Sequence, residues 1–173
     1  SIEKILKVLD KIIIPPGRMQ QIKINNRKYD IFIDYAHTPD ALKQTLISKT
    51  INNKKPNVVF GCGGERDKNK RSKMGAIANK YADKVYVTDD NPRNENPLKI
   101  RKEILSSCPK GMEFDDRKKA IKRAIFDFHK NDILIIAGKG HEKKQVIKKK
   151  IKLFDDFQIT KNELNKKLSK CMK

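Results

Sequence analysis

The stretch DILIIAG, residues 132–138, decides the fold, because it is the most apolar segment of the chain. A short apolar run bounded by Asp and Gly is typical of a strand that is buried on both faces. Strands in parallel sheets that are covered by helices on both sides have this near-continuous apolar pattern. We therefore expect residues 132–138 in the centre of a largely parallel sheet.

Strand patterns alternate with helix patterns along the rest of the chain. Thr38 and Asn96, each followed by proline, are predicted N-caps. This alternation predicts an α/β fold: a doubly wound, mostly parallel, Rossmann-like sheet with helices on both faces. The segments are the strands YDIFID (29–34), NVVFG (57–61), KVYVTD (84–89) and a short GMEF (111–114), and the helices ALKQTLIS (41–48), SKMGAIANKYA (72–82), LKIRKEILSS (98–107) and DRKKAIKRAIFDFHK (116–130).

The two ends of the chain have different patterns. QVIKKKIKLF, residues 145–154, predicts a hairpin that adds an antiparallel edge to the sheet, and residues 155–170 predict a final helix. At the other end, residues 1–14 have helical spacing that stops at Pro15-Pro16-Gly17, a plausible domain boundary. We expect residues 15–173 to form one domain and residues 1–14 to be the end of a preceding one.

The charge of the chain is extreme, at +20 for 173 residues, with 36% charged and 37% hydrophobic residues. Such a charge indicates nucleic acid or an anionic surface as a partner. However, the lysines are scattered, aromatics are only 6% of residues, and no basic stretch is interleaved with aromatics for base stacking. A solvated lysine surface is favoured, while nucleic-acid binding and attraction of anionic metabolites remain alternatives.

The cysteines and the apolar segments indicate the compartment. Cys62, Cys108 and Cys171 are widely spaced and form no C-x-x-C pattern, which indicates neither a zinc site nor a disulfide framework. Because no apolar stretch is long enough for a bilayer and no signal peptide is visible, we expect a soluble, cytoplasmic protein.

Polar side chains follow four of the predicted strands. In a parallel sheet these carboxyl ends meet at one edge, where ligands usually bind. The sequence therefore predicts a pocket lined by Asp34, His37, Arg66, Asp90, Asn91, Arg93 and Glu142.

Each of these features has a structural alternative. Asp34 could be a helix cap, although Thr38 already fills that role, and His37 could hydrogen-bond within its loop. G-K-G at 138–140 could be a tight exit from the strand. G-C-G-G at 61–64 lacks the full dinucleotide spacing, and no G-x-x-x-x-G-K-[ST] occurs, so the chain has no standard triphosphate cradle of its own.

Five motifs occur in an order and at a spacing that resemble the C-terminal domain of the Mur ligase family. They are DYAHTPDAL (34–42), VFGCGGERDKNKR (59–71), MGAIA (74–78), TDDNPR (88–93) and AGKGHE (137–142). DNPR is the discriminating one, and it is similar to that of the meso-diaminopimelate-adding group, the UDP-N-acetylmuramoyl-tripeptide synthetases. The resemblance covers essentially the whole chain, with residues 1–14 matching the tail of the ATP-binding central domain.

The resemblance implies part of an ATP-dependent amide ligase of peptidoglycan synthesis. ATP phosphorylates the glutamyl carboxylate of UDP-MurNAc-L-Ala-D-Glu, and the amino group of meso-diaminopimelate attacks the acyl phosphate. Two upstream domains of the family carry the UDP-sugar site, the P-loop and the magnesium ligands. We therefore expect this chain alone to be inactive, to hold no metal ion, and to be a monomer without a specific nucleic-acid or membrane partner.

The resemblance also implies roles for individual residues. Arg18 would lie near the nucleotide phosphates and Asp34 near the ribose, with His37, Lys139 and His141 as supporting residues. Glu65 stands where many members have Asp. The positions that match the diaminopimelate site are Arg66, Asp90, Asn91, Pro92, Arg93, Gly138 and Glu142.

The chemistry of these residues suits diaminopimelate. Arg93 offers a planar fork to the distal carboxylate, and Arg66 offers a second cation. Glu142 and the carbonyl of Gly138 suit the ammonium group. A lysine-adding ligase, the nearest alternative, would leave both arginines without an anion, and an unpaired buried charge costs about 3–5 kcal/mol.

Overall fold

The computed structural model of the protein describes residue 2 and residues 15–171. The helix expected over residues 1–14 therefore lies outside the described residues, apart from residue 2. Five helices and eight strands are present in the described part of the chain. No helix in that part is both long and apolar enough to cross a membrane.

Six strands form the main sheet: β1 (Gln20–Ile24), β2 (Arg27–Asp34), β3 (Asn57–Phe60), β4 (Val85–Val87), β5 (Gly111–Glu113) and β6 (Leu134–Ala137). Their order in the sheet is β1-β2-β6-β3-β4-β5. β6 pairs in parallel with both β2 and β3, and all of its residues are buried. The interior position predicted for the most apolar strand is confirmed.

Five helices cover the two faces of this sheet: α1 (Pro39–Ser48), α2 (Asn69–Tyr81), α3 (Pro97–Leu105), α4 (Arg117–Asp127) and α5 (Asp156–Cys171). Leu42, Met74 and Ile104 from α1, α2 and α3 pack against one face. Ile121 and Leu164 from α4 and α5 pack against the other. The doubly wound arrangement is therefore confirmed, because each helix buries one apolar stripe against the sheet.

The predicted N-caps are also present. The side chain of Thr38 accepts a hydrogen bond from the backbone N–H of Ala41, and that of Asn96 accepts one from Leu98. Both bonds satisfy N–H groups that have no partner within the first helical turn.

The antiparallel edge of the sheet is β1, which pairs with β2. Asn25 and Asn26 join the two strands with φ of 47° and 61°. Asparagine tolerates such positive φ values, and paired positive φ values are typical of two-residue hairpin turns. The sequence interpretation did not include this strand, although QQIKI alternates and buries Ile22 and Ile24.

The hairpin predicted over residues 145–154 forms from β7 (Lys144–Ile147) and β8 (Lys150–Leu153), but as a separate two-stranded sheet. The prediction that it adds an edge to the main sheet is wrong. The backbone of β7 pairs instead with the loop after β4: Arg93 N–H donates to Val146 O at 3.0 Å, and Lys148 N–H donates to Arg93 O at 2.6 Å. The hairpin thereby lies against the loop that contains DNPR.

Candidate functional site

The loops that follow β3 and β4 bring Arg66 and Arg93 close to one glycine. These strands are parallel neighbours, so their carboxyl ends lie side by side. A Cβ atom on Gly63 would lie 2.9 Å from Nη1 of Arg93 and 3.8 Å from Cγ of Arg66. The absence of a side chain at this position allows the two arginines to approach the same stretch of backbone, as the sequence predicts.

Arg93 is partly engaged with the backbone of both loops. Its Nη1 donates to Gly64 O at 2.7 Å and, more weakly, to Asn91 O at 3.4 Å. No described residue accepts from its Nε or Nη2. One edge of the guanidinium therefore joins the two loops, and the other edge is available for an anion.

Arg66 is exposed, and its Nη1 donates to the carbonyl of Glu65 at 3.1 Å. Arg93 is only half-buried. From the sequence, we expected an arginine without an anion to cost as much as an unpaired buried charge. That cost is too large for these two positions, because neither arginine is fully buried. The loss of a charge-assisted hydrogen bond, about 1.5–3 kcal/mol, is the appropriate scale.

A buried arginine ties the two arginine-bearing loops together. Arg71 of α2 is fully buried and forms ion pairs with Glu95 at 3.0 Å and Glu103 at 2.8 Å. Glu95 also accepts from the backbone N–H of Glu65, and its own N–H donates to Pro92 O at 3.1 Å. Sequence reasoning missed this connection, because local spacing does not show which side chains meet across two loops.

Carboxylates gather around a buried lysine beside the arginines. Lys139 is fully buried, and its Nζ donates to Asn91 Oδ1 at 3.0 Å and to Glu142 Oε2 at 3.3 Å. The same Nζ lies 3.5 Å from Asp90 Oδ1. Gly138, with φ of 112°, comes so close that a Cβ atom there would lie 3.0 Å from Asp90 Oδ2.

Glu142 and Asp90 each keep an unused carboxylate oxygen. Asn91 Nδ2 donates to Glu142 Oε2 at 3.0 Å, whereas Glu142 Oε1 and Asp90 Oδ2 accept no hydrogen bond from the described residues. Burial alone would raise the pKa of Glu142, but the hydrogen bond from Asn91 and the charge of Lys139 lower it below its usual value. The side chain of Gln145, which sequence reasoning missed, donates to Asp90 O at 2.7 Å and helps to hold this loop.

A second group of residues lies around Tyr35, an aromatic side chain that the sequence analysis did not include. The guanidinium of Arg18 lies 4.7 Å from the centre of the Tyr35 ring. The rings of His37 and His141 lie 4.6 Å and 5.4 Å from it. The position of Tyr35 between Asp34 and His37 in the DYAH motif was the available signal.

Asp34 is occupied by local hydrogen bonds. Its Oδ2 accepts from Met19 N at 2.8 Å, and its Oδ1 accepts from Ala36 N at 2.9 Å. The carboxylate therefore links the Arg18–Met19 turn to the end of β2. This is a structural role other than the helix cap considered from the sequence, and the nucleotide role of Asp34 stays a prediction.

The loop 138–142 connects the two groups of residues. Gly17 packs so closely on it that a Cβ atom there would lie 2.1 Å from His141 N. One side of this loop carries Lys139 and Glu142, and the other side packs against Gly17 and Tyr35. Within the described ranges, no three His, Cys, Asp or Glu side chains are arranged to hold a metal ion.

Residues 17–140 match the family model described as Mur ligase, glutamate ligase domain. The chain belongs to the Mur ligase family.

Two relatives have the same printed name, UDP-N-acetylmuramoyl-L-alanyl-D-glutamate–2,6-diaminopimelate ligase. The protein from Buchnera aphidicola subsp. Baizongia pistaciae is 48% identical over 171 residues, which covers 96% of this chain and 34% of the relative. The protein from Rickettsia felis is 48% identical over 161 residues, covering 90% of this chain and 30% of the relative. The chain thus spans about one third of the length of these relatives.

Two solved structures share the fold. A UDP-N-acetylmuramoyl-L-alanyl-D-glutamate–2,6-diaminopimelate ligase aligns with a TM-score of 0.78 and 36% identity, over 97% of this chain and 35% of the other. The MurF ligase of Thermotoga maritima in complex with ADP aligns with a TM-score of 0.59 over 97% of this chain and 37% of the other. At 17% identity, the second likeness concerns the fold alone.

Proposed function

We propose that this chain is the amino-acid-binding part of an ATP-dependent ligase of peptidoglycan synthesis. The ligase adds meso-diaminopimelate to UDP-N-acetylmuramoyl-L-alanyl-D-glutamate. Residues 15–173 form the C-terminal domain, and residues 1–14 are the tail of a central ATP-binding domain. A monomeric, cytoplasmic protein without a specific nucleic-acid or membrane partner is part of the same proposal.

The observation that carries the proposal is the separation of charge within one cluster of loops. Arg93 and Arg66 lie around Gly63, the unused oxygen of Asp90 lies beside Gly138, and Glu142 contacts Asn91 and Lys139. A ligand end that carries both a carboxylate and an ammonium group fits this arrangement. The distal end of diaminopimelate is such a group, whereas the side chain of lysine has the ammonium alone.

ATP and Mg²⁺ would be bound mainly by the upstream domains, and ATP would supply the activating phosphoryl group. From this chain, Arg18 offers a cation toward phosphate, and Tyr35 supports it by a cation–π contact at 4.7 Å. Asp34 holds the turn that carries Arg18. These residues fit the edge of a nucleotide site and not a complete one.

The binding step can be tested by NMR titration of the 173-residue chain with meso-diaminopimelate and, separately, with L-lysine. We expect diaminopimelate to shift the amide signals of residues 63–66, 90–93 and 138–142, and L-lysine to bind at least about tenfold more weakly. Equal affinities, or shifts elsewhere, would contradict the proposal.

The whole reaction requires the upstream domains. We expect a fusion of this chain to the N-terminal two thirds of the Buchnera relative to release ADP in the presence of diaminopimelate and the UDP-linked dipeptide. The chain alone should release none. Steady, diaminopimelate-dependent ADP release by the isolated chain would show that the proposed division of labour is wrong.

A further inference from the structure

Lys139 is the fully buried cation at the centre of the site, and no part of the proposed function uses it directly. Its ammonium group contacts Asp90, Asn91 and Glu142, which come from two different loops. Asn91 in turn donates to the same oxygen of Glu142 that Lys139 contacts. The three polar side chains are thereby held in one arrangement.

The charges at this point do not cancel. Lys139 supplies one positive charge against the two carboxylates of Asp90 and Glu142. The nearby Arg117 is already paired with Asp156. One negative charge therefore remains, which suits one ammonium group of a ligand.

We propose that Lys139 is a positioning residue of this site: its ammonium fixes Oε2 of Glu142, together with Asn91, so that Oε1 of Glu142 meets the ammonium group of the ligand. The inference rests on the proposed function, because it states which residue holds Glu142 in place for the ligand of that site. Lys139 itself does not touch the ligand, since all three of its contacts are with the protein.

The arrangement has a consequence for pH. Glu142 faces Lys139 and His141 on its own loop and Asn91 on the loop after β4, and its charge is also felt by Arg117 of α4. Without Lys139, the pKa of Glu142 should rise, so the acid limb of ligand binding should move to higher pH. His141, Arg117 and Asp90 are present in both proteins, so a difference between the two pH profiles reports the loss of Lys139.

The test compares Lys139→Met, which keeps the length of the side chain and removes its charge, with Lys143→Met. Lys143 is exposed, so Lys143→Met removes the same charge outside the site. Affinity for meso-diaminopimelate is measured by calorimetry across the acid range, and the Glu142 carboxyl is titrated by ¹³C NMR. We expect Lys139→Met to weaken binding about tenfold or more and to raise the pKa of Glu142, and Lys143→Met to do neither.

A double-mutant cycle separates positioning from a general effect on folding. If Lys139 acts through Glu142, then Lys139→Met should have little further effect on affinity in a Glu142→Gln protein. Equal losses in both backgrounds would overturn the inference. Should Lys139→Met fail to fold, Asn91→Ala, which removes the other donor to Glu142 Oε2, must also weaken binding and raise the same pKa.

The outcomes distinguish this inference from the proposed function. Failure of the unchanged chain to bind diaminopimelate would overturn both. Binding by the unchanged chain, with affinity and pH profile unaltered in Lys139→Met, would overturn the role of Lys139 alone.

Discussion

Arg117 and Asp156 form a bidentate ion pair in which both side chains are completely buried. Arg117 Nε donates to Asp156 Oδ1 at 2.8 Å, and Nη2 donates to Oδ2 at 2.7 Å. Nη2 also donates to Ala137 O at 2.9 Å, directly before Gly138. The pair therefore joins the beginnings of α4 and α5 to the end of the central strand, beneath the loop 138–142.

Removal of one partner of this buried ion pair should cause a large loss of stability. Asp156→Ala should lower the free energy of unfolding by about 3–5 kcal/mol, because it leaves the Arg117 charge buried without a counterion. Urea unfolding followed by circular dichroism measures this. Asp115→Ala is the matched control, since Asp115 and Lys119 form a pair whose side chains are 70% and 67% exposed, and its loss should change stability by less than about 1 kcal/mol. Similar effects of the two changes would contradict the prediction.

Substitution of Arg93 should change specificity. In the fusion protein, Arg93→Ala should lower kcat/KM for diaminopimelate about ten- to a hundredfold, and that for lysine much less, because a charge-assisted pair is lost. Arg93→Lys should recover only part of this loss, since a point charge cannot make a two-pronged contact. Glu142→Gln should weaken the binding of both substrates, since each presents an ammonium group.

The control for Arg93 is Arg27→Ala, an exposed arginine at the opposite end of β2 from Asp34. It should leave the preference for diaminopimelate over lysine unchanged. If Arg93→Ala also left that preference unchanged, then Arg93 would have only a structural role, through its hydrogen bond to Gly64 O, and would not bind the carboxylate of the ligand.

Cys62 should not react as a nucleophile, although it lies next to the glycines of the candidate site. It is 2% exposed, and burial raises its pKa to about 12. Since the thiolate is the reactive form, iodoacetamide at about pH 8 should label Cys62 far more slowly in the native protein than in urea. Peptide mapping by mass spectrometry measures both rates, and rapid native labelling would contradict this prediction.

The net charge of +20 should produce only weak binding to nucleic acid. Three of the arginines, the cations best suited to phosphate, are buried in ion pairs within the protein: Arg71, Arg101 and Arg117. Binding to DNA at low salt should therefore be indifferent to sequence and should weaken steeply as salt increases. Fluorescence anisotropy with two unrelated duplexes tests this; tight, selective binding at physiological salt would favour the nucleic-acid alternative.

The sequence by itself determined the class of fold and the edge on which the candidate site residues lie. Apolar runs alternate with amphipathic ones, and Thr38-Pro39 and Asn96-Pro97 begin their helices where expected. These features depend on local periodicity and capping, which nearby residues specify. The polar loops meet because the carboxyl ends of parallel strands share one edge.

Only the tertiary structure decided which distant groups meet. The hairpin of β7 and β8 pairs with the loop of Arg93, not with the sheet, and Lys139 is buried among residues of another loop. Arg117 of α4 forms its ion pair with Asp156 of α5. An apolar pattern specifies that a face is buried, but it does not specify its partner, because pairing across the chain depends on how complete elements pack and on which buried charges must then be compensated.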